Sequence, residues 1–197
     1  MILRAGRTSC PPLQPFDNSK CIRRLNTKWK PPNQDYTKLN FDGAARLGMA
    51  AEGRIIRSPT REMVIAYASN LNGFSSSQVE AMALAWGLYI ALSIGFRAIA
   101  KEGDSKLIID AIKGLNRIDW SIDIIIRDIF SLLFSFDSFL VSHIYREGNQ
   151  VADAMTTLGL NGERLKCWRN YTSLPPSIRH LIEREINNVI PNGCELH

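Results

Sequence analysis

Residues 37–58 read TKLNFDGAARLGMAAEGRIIRS, and the first half of this stretch sets the fold. Leu39 and Phe41 alternate with Asn40 and Asp42 at the period of two that marks a half-buried strand, which is expected to end at Asp42 against Gly43-Ala44-Ala45. An acid there needs a reason, because Asp is disfavoured in strands. Two further strands follow, EGRIIRS (52–58) and EMVIAYAS (62–69), parted only by the turn Ser58-Pro59-Thr60-Arg61. Connections this short make the three strands an antiparallel meander.

From Ser76 the period changes. Val79, Met82, Ala83, Trp86, Tyr89, Ile90 and Ser93 follow the spacing of an amphipathic helix ending near Gly95. RAIAKEG (97–103) is a fourth strand, KLIIDAIKG (106–114) a helix closed by Gly114, and Ile122 to Phe134 a further helix. SFLVSHIY (138–145) is a fifth strand and NQVADAMTTLG (149–159) the last core helix. Helical crossovers after the meander oblige the fourth and fifth strands to run parallel in the same sheet. The expectation is an α/β fold with a mixed five-stranded sheet, three strands antiparallel and then two parallel, flanked by helices.

Residues 37–160 form this unit. Residues 1–36 hold five of the nine prolines (Pro11, Pro12, Pro15, Pro31, Pro32) and read as an extended basic lead-in, and residues 161–197 as an accessory helical tail starting near a Pro-Pro pair. With 45% hydrophobic and 22% charged residues the chain can bury a core, which excludes disorder throughout. No uncharged apolar run reads as a bilayer span of roughly 18 residues, and the N-terminus lacks the unbroken apolar stretch of a secretion signal. An intracellular protein of nucleus or cytoplasm, not membrane-bound or secreted, is expected. Cys10, Cys21, Cys167 and Cys194 show neither pairing nor metal-ligand spacing and read as free thiols. The net charge of +5 is concentrated in residues 1–38, where Arg4, Arg7, Lys20, Arg23, Arg24, Lys28, Lys30 and Lys38 face only Asp17 and Asp35. Such an arm suits contact with phosphates or is simply solvated.

Four acids fall at element ends: Asp42, Glu80 early in the first helix, Asp104 after the fourth strand, and Asp153 in the last core helix. Separately each has a plain explanation. Glu80 lies three residues after Ser77, the spacing of a capping box; Asp104 could cap the next helix; Asp153 could face water. Together they gain a mechanism. If the first and fourth strands are neighbours, their terminal acids converge and helix-borne acids complete a cluster that repulsion would forbid without cations. Hard divalent ions with oxygen ligands suit such a cluster, and two of them roughly 3.5–4 Å apart can clamp both oxygens of a phosphodiester displacement.

The succession KLNFDGA, SSQVEAMALAWGLYIA, EGDSKLIIDAI and HIYREGNQVADAM resembles the ribonuclease H domain, in particular its reverse-transcriptase-like plant branch found alone or at the ends of non-LTR retrotransposon polyproteins. The resemblance covers residues 29–160, with WKPPNQDYTKLNFDGA and LPPSIRHLIERE similar to that branch's flanks. It implies a ribonuclease H-like fold, metal ligands at Asp42, Glu80, Asp104 and Asp153, and two magnesium ions, with manganese as an alternative. The activity implied is cleavage of the RNA strand of an RNA–DNA hybrid by water, leaving a 3′-hydroxyl, carried out by a monomer. His143, ten residues before Asp153, matches the family's loop histidine or is a structural histidine within a strand. Gly43 and Asn149 would meet substrate, Asn149 alternatively capping the last helix.

The family's glycine-rich turn after the first strand is missing, since AARLGMAAEG keeps only Gly48 and Gly53. That departure motivates the alternative of a weakly active or inactive nucleic-acid-binding module derived from a retroelement. Lys101, close to Asp104, is expected either to extend its amine past an edge or to pair with an acid of the site.

Overall fold

The computed structural model describes residues 28–162 and 165–188. β1 (Thr37–Arg46), β2 (Met49–Arg57) and β3 (Met63–Asn70) form the meander. α1 (Ser76–Ile94) crosses to β4 (Ala98–Gly103), α2 (Lys106–Ile112) and α3 (Trp120–Leu133) lead to β5 (Ser138–His143), and α4 (Gln150–Leu160) follows. β6 (Leu165–Trp168) and α5 (Pro176–Asn187) complete the described chain. The strands lie in the order β5-β4-β1-β2-β3-β6, with β4 parallel to both β1 and β5.

Two expectations about strands are corrected. The sheet has six strands, because residues 165–168 of the tail pair antiparallel with β3 from Ala66–Trp168 to Ser69–Leu165. Four residues are too few to display a period, so only the exposed edge of β3 makes them a strand. β1 also does not end at Asp42. Its ladder with β2 continues to Arg46–Met49, closed by Leu47 (φ 52°) and Gly48 (φ 81°). Positive φ at both central residues is the two-residue hairpin turn that matches strand twist. Asp42 therefore stands mid-strand opposite Gly53.

Alternation along β1 separates two cores. Leu39 and Phe41 join Ile56, Ile65 and Ile99 beneath α1, α2 and α3. On the other face Ile55 and Ala66 meet Val151 and Met155 of α4 and Ile178 and Ile182 of α5. Lys38, Asn40 and Asp42 alternate with the first set and form a polar row on the second face. α1, at 19 residues, has the length and apolarity of a bilayer span, yet Ala81, Ala83, Leu84 and Leu88 of its inner face are buried in the first core. Trp29, in the lead-in, is buried as well. The arginines and lysine of the basic arm up to Arg24, together with Cys10, Cys21 and Cys194, lie outside the described residues; Cys167 is a free, exposed thiol.

Candidate active site

β1 and β4 build the centre. Their parallel register sets Gly103 beside Phe41, so Asp104 emerges next to Asp42 and the two carboxyls feel each other's charge. Asp42 is buried, and its pKa is pushed up to about 7. Desolvation is the main cause, followed by the charge of Asp104 and then of Asp153, against a stabilising hydrogen bond from the Thr156 hydroxyl of α4.

α1 supplies Glu80. The capping box that starts this helix is formed by Ser75 and Gln78, not by Ser77 and Glu80, which leaves the Glu80 carboxylate free of a capping task. Gly43 makes its approach possible: a Cβ at Gly43 would lie 2.5 Å from the Glu80 backbone nitrogen. Gly43 is buried against this helix, and its missing side chain is the space α1 occupies. Glu80 is likewise raised to about 7 by burial first and by Asp42 and Asp104, while a hydrogen bond from Ser105 opposes the shift.

Asp153, on α4, is half-buried and paired with the guanidinium of Arg146, and its charge still acts on Asp42. Asp104 does not cap α2, whose N-cap is Ser105. His143 ends β5 with Nε2 3.0 Å from the Asp104 carbonyl and its ring edge-on to Tyr145. Asn149 occupies the N-cap position of α4 without a capping bond; its amide instead donates to the Phe41 carbonyl at 2.9 Å.

The charges of Asp42, Glu80 and Asp104 thus act on one another, and that of Asp153, paired with Arg146, acts on Asp42. Among the described residues no three His, Cys, Asp or Glu side chains are arranged to hold a metal ion jointly. The donor chemistry nevertheless fits a hard divalent cation, because every ligand offered is a carboxylate oxygen and crowding of like charge is what such a cation relieves.

Three contributors had no sequence signal: Thr156, Ser105 and Arg146 act through contacts fixed only when α4 and β4 dock on β1. Lys101 follows neither expectation. β4 is an inner strand, and the Lys101 amine is fully buried without a hydrogen-bond partner, 4.2 Å from the Phe139 ring centroid, with its pKa lowered by burial to about 7.

The model of the family described as reverse transcriptase-like matches residues 40–159. The chain belongs to the reverse transcriptase-like family. This reverse transcriptase-like chain is 27% identical over 129 residues to an Arabidopsis thaliana protein whose name assigns it provisionally to ribonuclease H. The match covers 64% of this chain and 21% of that protein, so the chain spans about a fifth of the length of the curated relative. Among solved structures, RNase H1 from Halobacterium salinarum superposes with a TM-score of 0.61 at 27% identity, over 64% of this chain and 98% of the other. LC11-RNase H1, solved with an RNA/DNA hybrid, gives 0.60 at 18% identity over 64% and 96%, a likeness of fold alone. The reverse transcriptase-like domain therefore carries the ribonuclease H fold, with the sixth strand as a difference in strand count.

Proposed function

We propose that this domain is a divalent-metal-dependent endonuclease that cleaves the RNA strand of RNA–DNA hybrids inside the cell, acting as a monomer. One observation carries the reading: Asp42 is held in a buried position beside Asp104 and within the field of Asp153, an arrangement that raises its pKa to about 7 and costs folding stability. Such a cost is expected where charge is gathered for binding a cation. The ribonuclease H name of the Arabidopsis relative and the hybrid bound to LC11-RNase H1 agree with it.

Asp42, Glu80, Asp104 and Asp153 would hold magnesium, or manganese in its place. When bound, the two ions supply an activated water and offset charge on the leaving oxygen. Asp42 and Asp104 serve as the inner pair because two adjacent strands fix them rigidly. Glu80 would contribute from α1, and Asp153 would do so only on leaving its ion pair with Arg146. His143, whose Nε2 lies 3.0 Å from the Asp104 carbonyl, would serve as the proton-transferring group beside the site.

The test is incubation of purified protein with a labelled hybrid and magnesium. RNA-strand cleavage that stops on chelation is expected, and Asp104→Asn should cut the rate by roughly 10²–10³-fold or more while leaving the fold intact. Folded protein that never cleaves the hybrid would sink the proposal. A second reading, a nucleic-acid-binding module without catalysis, draws on the Arg146–Asp153 ion pair, which occupies one of the four acids. It requires magnesium-independent binding with a steep salt slope and no preference for hybrid over duplex DNA.

A further inference from the structure

Asn149 touches the three segments that carry Asp42, Asp104 and Asp153. Its side-chain Nδ2 donates to the Phe41 carbonyl at 2.9 Å, one residue before Asp42, and lies 3.5 Å from Asp104 Oδ1. Its own carbonyl accepts from the Asp153 backbone amide at 3.1 Å. On its other side, Oδ1 accepts from Asn40 Nδ2 at 3.4 Å. Asn40 and Asn149 are each 1% exposed, so water does not compete for these groups.

A primary amide can turn over, exchanging donor for acceptor, and only its partners decide which way it points. For Asn40 those partners leave no choice. Its Oδ1 accepts from Trp29 Nε1 at 2.9 Å and from Arg57 Nη2 at 2.8 Å, and neither group can accept a hydrogen bond. Its Nδ2 therefore faces the Glu102 carboxylate, 3.5 Å away, and Asn149 Oδ1. Asn149 in turn must present Nδ2 to the Phe41 carbonyl and Asp104. Arg57 is itself fixed: it is completely buried, donates Nη1 to Glu185 of α5 at 2.5 Å, and lies 3.9 Å from the centroid of the Trp29 ring.

We propose that the amides of Asn40 and Asn149 form a polarity relay through which Trp29 and the Arg57–Glu185 pair orient the carboxylate cluster. Asn149 is then a positioning residue, and Trp29 and α5 belong to the catalytic unit, a role that rests on the function proposed above, whereas the relay itself does not. Loss of either donor, Trp29 or Arg57, loosens the hold on Asn40 Oδ1, and the Asn40 amide shifts. Its 3.4 Å contact with Asn149 Oδ1 shifts with it, so the Asn149 amide slackens against the Phe41 carbonyl and Asp104 loses its fixed neighbour.

The experiment uses the full chain in Trp29→Phe and Asn149→Ser forms, with Leu174→Ala as a variant that loosens the second core without touching the relay. Side-chain carboxylate carbon resonances of Asp42 and Asp104, recorded by NMR without magnesium, should move in the first two variants and stay in place in the third. Magnesium affinity by calorimetry should fall about tenfold or more in the first two, as when groups behind metal ligands are lost. In a cleavage assay kcat should fall with KM little changed. Unmoved carboxylate resonances in Trp29→Phe and Asn149→Ser, whatever happens to their melting temperatures, would overturn the relay. A wild-type chain that neither binds magnesium nor cleaves would overturn the proposed function alone, because the resonances still decide the relay.

Discussion

Lys101 places an amine in the first core with nothing to bond to. Its folded pKa of about 7 lies below the ordinary 10.5, so between these values the unfolded chain holds a proton that the folded chain has released. Stability contributed at this residue accordingly rises as pH climbs from about 7 towards 10.5, and the full cost of burial is present below pH 7. Lys101→Met should stabilise the protein by ~1–3 kcal/mol at pH 6, with the gain shrinking towards pH 10. Urea unfolding at the two pH values measures this, and an equal effect at both would contradict it. The sequence displayed the four acids as acids in unusual places, Asp42 most clearly because strands disfavour Asp. It did not display the surroundings of Lys101, since whether β4 is an edge or an inner strand follows from the order of all the strands. Nor did it display the pairing of Asp153 with Arg146, which depends on how the turn before α4 is seated.

Strands and helices were legible wherever a period existed. The alternation in β1 and the helical spacing after Ser76 each correspond to an element of the fold. Ala44, Ala45, Ala50 and Ala51 carry no alternation, and Leu47-Gly48 lacks the Asn-Gly signature of a tight hairpin, so nothing in the sequence there announces that the ladder continues past Asp42. The close contact of α1 with β1 at Gly43 was equally hidden, because a glycine in sequence does not say which neighbour uses the space. Gly43→Ala should cost ~1–3 kcal/mol by forcing α1 outward, and should also lower any hybrid cleavage by shifting Glu80. Denaturant unfolding reads the first effect; a variant as stable as wild type would show that the helix yields without penalty.

At the scale of the molecule, the segment read as an accessory tail closes both the sheet and the second core. Leu174, Ile178 and Ile182 cover Ile55, Val151 and Met155, all of them nearly inaccessible to solvent. A chain ending at Gly162 would lose β6 and α5 and uncover that surface. It should bind a hydrophobic dye and unfold over a broad range, and a sharp transition at the wild-type temperature would refute this expectation. Sequence could not reveal the dependence, because α5 has an ordinary amphipathic pattern and its partner face is formed by strands far away in the chain. The Arg57–Glu185 pair carries the same separation into the order of events during synthesis. The guanidinium leaves the ribosome 128 residues before the carboxylate that neutralises it. The buried site of Arg57 therefore lacks its counter-charge until α5 has been synthesised, so the second core cannot close in its native form on a nascent chain that stops short of Glu185.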